Sequence, residues 1–451
     1  MAKSSPNMKQ TALSVLQLNF YLLKLSGEIR VVELEDVEAI LSGHKNGDIA
    51  FWKRLEGELL MRRFLEEQPI PSNHVKETIK DFWTSPQTHV LNEIAFSPLK
   101  TPSTTLNYWI GPLVQPQSGQ WNLIQEYLKI VICDGDKKLY LYLVQFLAHM
   151  VQRPEEKPGV MIILLGRQGT GKGMFFQLLS KLWPRTTLLV SDIAHVVGQF
   201  NAALERNFAI CMDEAMFSGD KKSQDRLKSL VTEQTVRIEQ KYQPSRTIDS
   251  IHRIFAASNH EHFSRIDGDD RRSFFIRVSA IRQNDHSYFA RLSAALNDRA
   301  VIGAMLHDLM QMDLSGFNVR SRPLTQEHNK QKMLSLTGFE RYWYEVLCLG
   351  KFMQVFDFSP SEFSKDWIGH DFVASNSLLR GLKAFDKNSD RYQTIQITEV
   401  ANTLKRICPS LKKDRATMNG KQFRGFKLPT LDAARSEFES AFSVQLEWED
   451  V

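Results

Sequence analysis

The spacing of apolar positions changes several times along this chain, and each change marks a different kind of element. Residues 19 to 34, NFYLLKLSGEIRVVEL, hold two apolar-rich runs around Ser26-Gly27, which predicts two strands and a turn, and mixed helical patterns follow to about residue 85. A stretch rich in Pro, Ser and Thr (SPLKTPSTT, then GPLVQPQSGQ) leads to two helical patterns, WNLIQEYLKIVI and KKLYLYLVQFLAHMVQ, separated by CDGD. From Val160 to about Ala280 the short apolar runs VMIILL, TTLLV, FAICM, IHRIFAA and FFIRV alternate with helical stretches. Short apolar runs bounded by turn signals read as buried strands, and their alternation with helices predicts an α/β core built on a parallel five-stranded sheet. A further amphipathic pattern covers 286 to 312, SGFNVRSRPL reads as a linker, and the last hundred residues carry helix and strand signals of their own. The expected division is an N-terminal α+β accessory region (1–85), a helical lead-in or collar (86–158), the α/β core (159–315) and a C-terminal domain (330–451). No internal repeat is visible.

Composition narrows the class. A chain of 451 residues with 42% hydrophobic and 24% charged positions can bury a full core and is not a disordered or peptide-sized module. The opening MAKSSPNMKQ leads into no apolar signal core, and no run approaches the roughly 18 apolar residues of a membrane span, so a cytoplasmic protein without a membrane partner is expected. Cys133, Cys211, Cys348 and Cys408 lie far apart with no CxxC pair, so neither a disulfide framework nor a zinc site is indicated and buried free thiols are the better reading. A net charge of +5 permits a nucleic-acid partner without requiring one.

The strongest chemical signal follows VMIILL. Gly166-Arg167-Gln168-Gly169-Thr170-Gly171-Lys172 has the spacing GxxxxGK between a predicted strand and the helical run MFFQLLSKLW. In such a loop Gly166, Gln168, Gly169, Thr170, Gly171, Lys172 and Gly173 would surround a nucleotide's phosphates. Glycines let backbone N–H groups close on the oxygens, Lys172 places a charge on the β and γ phosphates, and the helix N-terminus adds its dipole. Gly173 departs from the usual pattern, which has Ser or Thr there to ligate magnesium; Met174 offers no hydroxyl either, so Thr170 or a water is left for that contact.

Other groups are placed by the predicted strand ends, where α/β sheets bind ligands. FAICM runs into Asp213-Glu214: Asp213 suits the magnesium shell and Glu214 the polarisation of an attacking water. RIFAAS ends at Asn259, which either makes a turn or bonds the γ-phosphate and lytic water. Asp269-Asp270-Arg271-Arg272 precedes FFIRV; Arg271 or Arg272 is an arginine finger acting on a neighbouring copy, or the four form a surface ion-pair cluster. TVRIEQKYQPSRTIDSI reads as a hairpin whose tip carries Lys241 and Tyr242, a cation and an aromatic suited to a phosphate and a base, or a solvated turn. Residues 405 to 427 hold eight Lys or Arg against one Asp; Lys412, Lys413, Arg415, Lys421 and Arg424 flank Asn419-Gly420 in a pattern compatible with a winged helix, or with a solvated face.

In order and spacing, LAHMVQRPEEKPGVMIILLGRQGTGKG, Asp213-Glu214-Ala215, GDKK, LKSLVTEQT, Ala257-Ser258-Asn259 and Asp270-Arg271-Arg272 resemble the superfamily 3 helicases, specifically the phage and mobile-element group related to poxvirus-type primase-helicases. The resemblance runs from about residue 85 to 345, and RGFKLPTLDAAR is similar to that group's C-terminal region. It implies a P-loop NTPase with an AAA+-like core and a C-terminal winged-helix-like domain, forming a homo-hexamer that hydrolyses Mg²⁺-ATP between subunits. It also implies a channel hairpin, here carrying Lys241, that moves single-stranded or forked DNA 3′ to 5′; a separate primase or polymerase is a further partner to expect. Relatives often carry a primase domain upstream; here Asp134 and Asp136 form the nearest carboxylate pair, and they read as helix caps. Two other readings stay in view: a nucleotide-gated DNA-binding or assembly protein that does not unwind, and a small-molecule kinase suggested by GKG.

Overall fold

The computed structural model describes residues 6–25, 27–42, 49–214, 221–240, 245–261, 263, 270–352, 367, 371–385, 395–418 and 421–448. At the N-terminus, α1 (Pro6–Asn19) leads into β1 (Phe20–Leu25) and β2 (Glu28–Glu33), an antiparallel pair turned by Gly27 at φ +85°. Three helices follow, α2 (Leu34–Ser42), α3 (Arg54–Glu66) and α4 (Ser72–Thr84), before β3 (Val90–Leu91) adds in parallel to β1. One face of this unit has its own small core around Leu16, Phe20, Met61 and Phe82. Its other face, through Leu23, Val32 and Ile40, joins the large core of the α/β region.

After the short parallel pair β4 (Glu93–Ala95) and β5 (Thr105–Asn107) come α5 (Asn122–Glu126), a π-helical turn over Tyr127–Ile132, and α6 (Lys137–Gln152). Asp136 caps α6, its carboxylate accepting from the amides of Lys138 at 2.7 Å and Leu139 at 3.1 Å. This satisfies donors that the first helical turn leaves open.

The central strands are β6 (Met161–Leu165), β7 (Thr187–Val190), β8 (Ala209–Met212), β11 (Arg253–Ser258) and β12 (Ser273–Arg277), with β9 (Thr235–Ile238) and β10 (Arg246–Asp249) forming a separate antiparallel hairpin between β8 and β11. All five pair in parallel, in the order β12-β6-β11-β8-β7, so the expected parallel five-stranded sheet is what the chain forms. β6, β8 and β11 are buried at every position, as strands covered on both faces must be. α7 (Lys172–Leu182), α8 (Ala194–Val197), α9 (Lys221–Thr232), α10 (His286–Asn297) and α11 (Arg299–Gln311) complete this region. The connection from β6 to β7 passes over β11 and β8, so the sheet has its crevice beside the C-terminal end of β6.

The C-terminal unit contains α12 (Gln326–Leu334), α13 (Gly338–Leu349), β13 (Phe372–Ala374), α14 (Ser375–Phe385), α15 (Ile397–Ile407), β14 (Lys412–Met418), β15 (Lys421–Lys427) and α16 (Leu431–Phe442). Its antiparallel sheet, β13-β15-β14, packs with the helices around Trp343, Leu378, Leu404 and Phe438. Among the described residues, no helix is long and apolar enough to cross a membrane.

At the start of β11 a buried polar chain ties the β9–β10 hairpin to the sheet. Lys157 donates to Ser250 Oγ, Ser250 Oγ lies 2.9 Å from His252 Nδ1, and His252 Nε2 donates to the Leu204 carbonyl at 2.9 Å. Burial, then the nearby Lys157 cation, hold His252 down to about 3; burial first also lowers His149 and His328 to about 4. Between these values and the ordinary 6.5 the unfolded chain binds more protons than the folded one, so stability rises with pH through that window and falls on acidification. Each such histidine contributes a slope of about 1.4 kcal/mol per pH unit. Melting temperatures recorded between pH 7 and 4.5 should therefore drop steadily, and His252→Asn should make the decline shallower.

Candidate functional site

Three neighbouring strands deliver the sequence-predicted groups to one edge of the sheet. β6, β11 and β8 lie side by side, with Leu165 paired to Ser258 and Met212 paired to Ala256. Their next residues are Gly166, Asn259 and Asp213, so the glycine loop and the asparagine emerge at the same level and the carboxylates begin two residues earlier, on the neighbouring strand. Gly166 N–H donates to the Ser258 carbonyl at 3.2 Å, which extends the ladder one step into the loop.

Lys172 is the centre of the arrangement. It is 8% exposed, and its ammonium donates to the carbonyls of Gly166 at 2.7 Å and Arg167 at 2.9 Å and to Asn259 Oδ1 at 2.7 Å. Burial lowers its pKa, while Asp213 and then Glu214 pull it back up. Both carboxylates are exposed: Asp213 N–H donates to Val190 O at 2.9 Å, and Glu214 N–H donates to Asp213 Oδ1 at 3.0 Å. Glu214 sits at φ +52°, a conformation that costs a non-glycine residue about 1 kcal/mol and that clusters at functional positions.

The loop's glycines are required by what surrounds them. Gly169 (φ +78°) faces Asn284 Oδ1, and Gly171 (φ +93°) faces the Phe289 ring, so a Cβ at either position would collide. Gly173 is the exception, with nothing within 4 Å of where its Cβ would stand. The Thr170 hydroxyl is fully buried and donates to the Arg167 carbonyl at 2.8 Å, so it is already committed as a donor. The loop is also gripped from outside: Tyr127 Oη donates to Gly171 O at 2.9 Å, Gln283 Nε2 to Gln168 O at 2.9 Å, and Asn284 N–H to Gly169 O at 3.0 Å. Sequence reasoning missed these residues; the one local signal was Asn284, a residue type that tolerates its φ of +60°.

Arg271 and Arg272 lie apart from this cleft. β12 runs parallel to β6, with Ser273 opposite Met161 and Arg277 opposite Leu165, so Arg271 and Arg272 begin at the far edge of the sheet, about 20 Å along the strand from the glycine loop of their own chain. The Asp270 carboxylate accepts from the amides of Arg272 at 3.3 Å and Ser273 at 3.1 Å, and among the described residues neither arginine pairs with it. Lys241 and Tyr242 lie outside the described residues, as do Asp269, Ala215, Gly219-Asp220 and Asn419-Gly420. Lys412, Lys413, Arg415 and Arg424 are exposed on β14 and β15, where Arg415 stands opposite Arg424 and Lys412 opposite Lys427; Lys421 is the first residue of β15. Like charges directly across a sheet repel, an arrangement that a polyanion would relieve. Among the described residues no three His, Cys, Asp or Glu side chains gather as a metal cage.

Comparison with known proteins places this architecture. Residues 164–272 match the model of a family of unknown function, DUF5906. Over 152 residues, 33% of this chain, the sequence is 28% identical to a DNA primase-polymerase of Nitratiruptor phage NrS-1, and the match spans 21% of that protein's length. The apo structure of the NrS-1 C-terminal region superposes with a TM-score of 0.62 at 16% identity, covering 94% of this chain and 100% of the other, and its A form gives 0.60. At that identity the likeness establishes a shared fold, with a five-stranded parallel sheet, over nearly the whole chain.

Proposed function

We propose that this chain is an ATP-driven DNA helicase of a phage or mobile-element replication system, a P-loop NTPase with an AAA+-like core that translocates on single-stranded DNA as a ring, with 3′ to 5′ polarity. The carrying observation is the 2.7 Å bond from Lys172 to Asn259, with Asp213 and Glu214 close enough to shift the lysine's pKa. These contacts support reading Lys172 as the phosphate cation, Asn259 as the γ-phosphate sensor, and Asp213 and Glu214 as the carboxylates of one cleft. A binding-only protein has no need of the carboxylates, and a small-molecule kinase has no need of a distant Arg271-Arg272 pair. In a ring that pair would serve the nucleotide of the adjacent copy. The similarity to a phage primase-polymerase supports a place in DNA replication, and a separate priming or polymerising partner is part of our reading.

In this reading Gly166, Gln168, Gly169, Thr170, Gly171 and Gly173 cradle the phosphates, Lys172 neutralises their charge, and Glu214 accepts the proton of the attacking water. Asn259, released from Lys172, orients that water. Asp213 would hold Mg²⁺ with phosphates and waters completing its shell, which fits a site offering one or two carboxylates rather than a cage. Bound there, Mg²⁺ supplies charge stabilisation to the transferring phosphoryl group. The exposed basic hairpin β14–β15, within what we read as a winged-helix-like domain, would grip the DNA backbone together with Lys241 and Tyr242. The test is whether single-stranded DNA stimulates ATP hydrolysis by the intact chain and whether the chain displaces a paired strand.

A second reading, a nucleotide-gated DNA-binding protein that does not unwind, draws on the absent hydroxyl at Gly173 and the full burial of the one at Thr170. The open space at Gly173 allows a direct check. Gly173→Ser should fit without strain, stabilise α7 by about 0.5 kcal/mol, and lower several-fold the Mg²⁺ concentration for half-maximal hydrolysis. A magnesium titration unchanged by the serine would leave Gly173 outside the metal's surroundings.

A further inference from the structure

α12 has a composition unlike that of a core helix, yet it is buried. Its sequence is QEHNKQKML, and Glu327, His328, Gln331, Lys332 and Met333 are all buried. A polar helix pays a desolvation cost there that only specific partners offset, so its position is set by those partners. They come from two directions.

On one side are the strand ends of the candidate site. Two residues beyond Asn259, the Glu261 carboxylate accepts from Arg277 Nη1 at 3.3 Å and Nη2 at 3.1 Å and pairs with Lys330. The Glu261 carbonyl accepts from the Gln331 amide, whose Oε1 in turn accepts from Phe263 N–H at 3.0 Å. Arg277 Nε, at the end of β12, donates to Glu327 Oε2 at 2.7 Å, and Gln331 Nε2 donates to Glu327 Oε1 at 2.9 Å. On the other side is the end of the C-terminal unit: Asn329 Nδ2 donates to Gln445 O at 2.9 Å, Lys332 Nζ to Phe442 O at 3.2 Å, and Gln326 Nε2 to Glu447 Oε1 at 3.1 Å.

We propose that Glu261 is a positioning residue that fixes the Asn259 loop against α12, and that α12 thereby transmits the state of the nucleotide cleft to the C-terminal DNA-gripping unit. The inference rests on the nucleotide and DNA roles proposed above. When Asn259 exchanges its bond to Lys172 for one to a phosphate, the chain two residues on must follow. Glu261 and its carbonyl carry that shift to Lys330 and Gln331, one turn from the residues that hold 442–447. The Glu261 side chain is itself mostly exposed, so its ion pairs add little to stability. Their value lies in direction: Glu261, with Phe263 beside it, is where α12 meets the loop carrying the sensor.

The experiment uses the full chain and compares wild type, Glu261→Gln, Lys330→Met and Lys172→Ala. It measures single-stranded DNA affinity with and without a non-hydrolysable ATP analogue, the kcat and KM of hydrolysis, and the melting temperature. In wild type the analogue should change DNA affinity by at least about fivefold. Glu261→Gln and Lys330→Met should each reduce that ratio to near one and lower kcat, while KM and melting temperature stay at wild-type values. Wild-type coupling retained in both variants overturns the proposal, as does a ratio lost only alongside a lowered melting temperature. If wild type binds the analogue and Lys172→Ala does not, but DNA affinity ignores the analogue, the relay fails while the nucleotide reading stands. If wild type binds no analogue, the nucleotide reading itself fails and the relay with it.

Discussion

On the proposed ATPase reading, replacing Lys172 with alanine is expected to eliminate ATP hydrolysis and any thermal stabilisation of the intact protein by ATP. Lys172 is 8% exposed and its ammonium is already bonded to three oxygens, so it is a cation largely withdrawn from water at the inner wall of the glycine loop. In such a setting a preorganised charge acts on phosphate far more strongly than in bulk solvent, and losing one comparable electrostatic group costs about 10²- to 10³-fold in rate. Ligand linkage supplies the second readout: at a hundred times Kd, ATP should stabilise the native protein by about 2.7 kcal/mol, and the variant should lose that gain. The loop itself should survive, because its carbonyls at Gln168, Gly169 and Gly171 are held by Gln283, Asn284 and Tyr127 rather than by Lys172. An alanine variant that still hydrolyses ATP at the wild-type rate would place the chemistry elsewhere.

Glu214→Gln should separate binding from turnover. The amide keeps the size of the side chain and its left-handed backbone at φ +52°, but removes the ability to take a proton from water. General-base loss lowers kcat by about 10²- to 10⁴-fold, and because the group acts on the water, KM for ATP should stay near wild type. Strand displacement should stop, and DNA affinity in the presence of ATP should approach that seen with a non-hydrolysable analogue. The opposite split, a raised KM with unchanged kcat, would make Glu214 a ligand-binding residue only.

The elements that were legible in the sequence are those whose information is local. VMIILL, FAICM and RIFAAS are strands in which every residue is buried, and the residue after each is fixed by chain continuity, so the expected cleft followed from strand direction alone. The glycine loop was equally readable because GxxxxGK between a strand and a helix is a fixed local spacing. What encloses that loop was not. Tyr127 reaches Gly171 across 44 positions, and Gln283 reaches Gln168 across 115; hydrophobic periodicity says that a face is covered and never by what. α12 was illegible for a different reason: its polar composition argues for solvent, and only partners from two distant parts of the chain make its burial tolerable. The far-edge position of Arg271 and Arg272 likewise needed the register of β12 against β6, which no local pattern encodes.

The outer bracing of the glycine loop bears on affinity. A flexible loop must surrender conformational entropy when it wraps a ligand, roughly 1 to 2 kcal/mol for each residue whose backbone becomes fixed. Here tethers from the π-helical turn and from the segment after β12 hold the carbonyls of Gln168, Gly169 and Gly171, leaving the inward face to the incoming anion. The ordering cost is thus met during folding rather than at each encounter, which on the proposed ATPase reading would let the chain capture a nucleotide rapidly and release it again within each cycle.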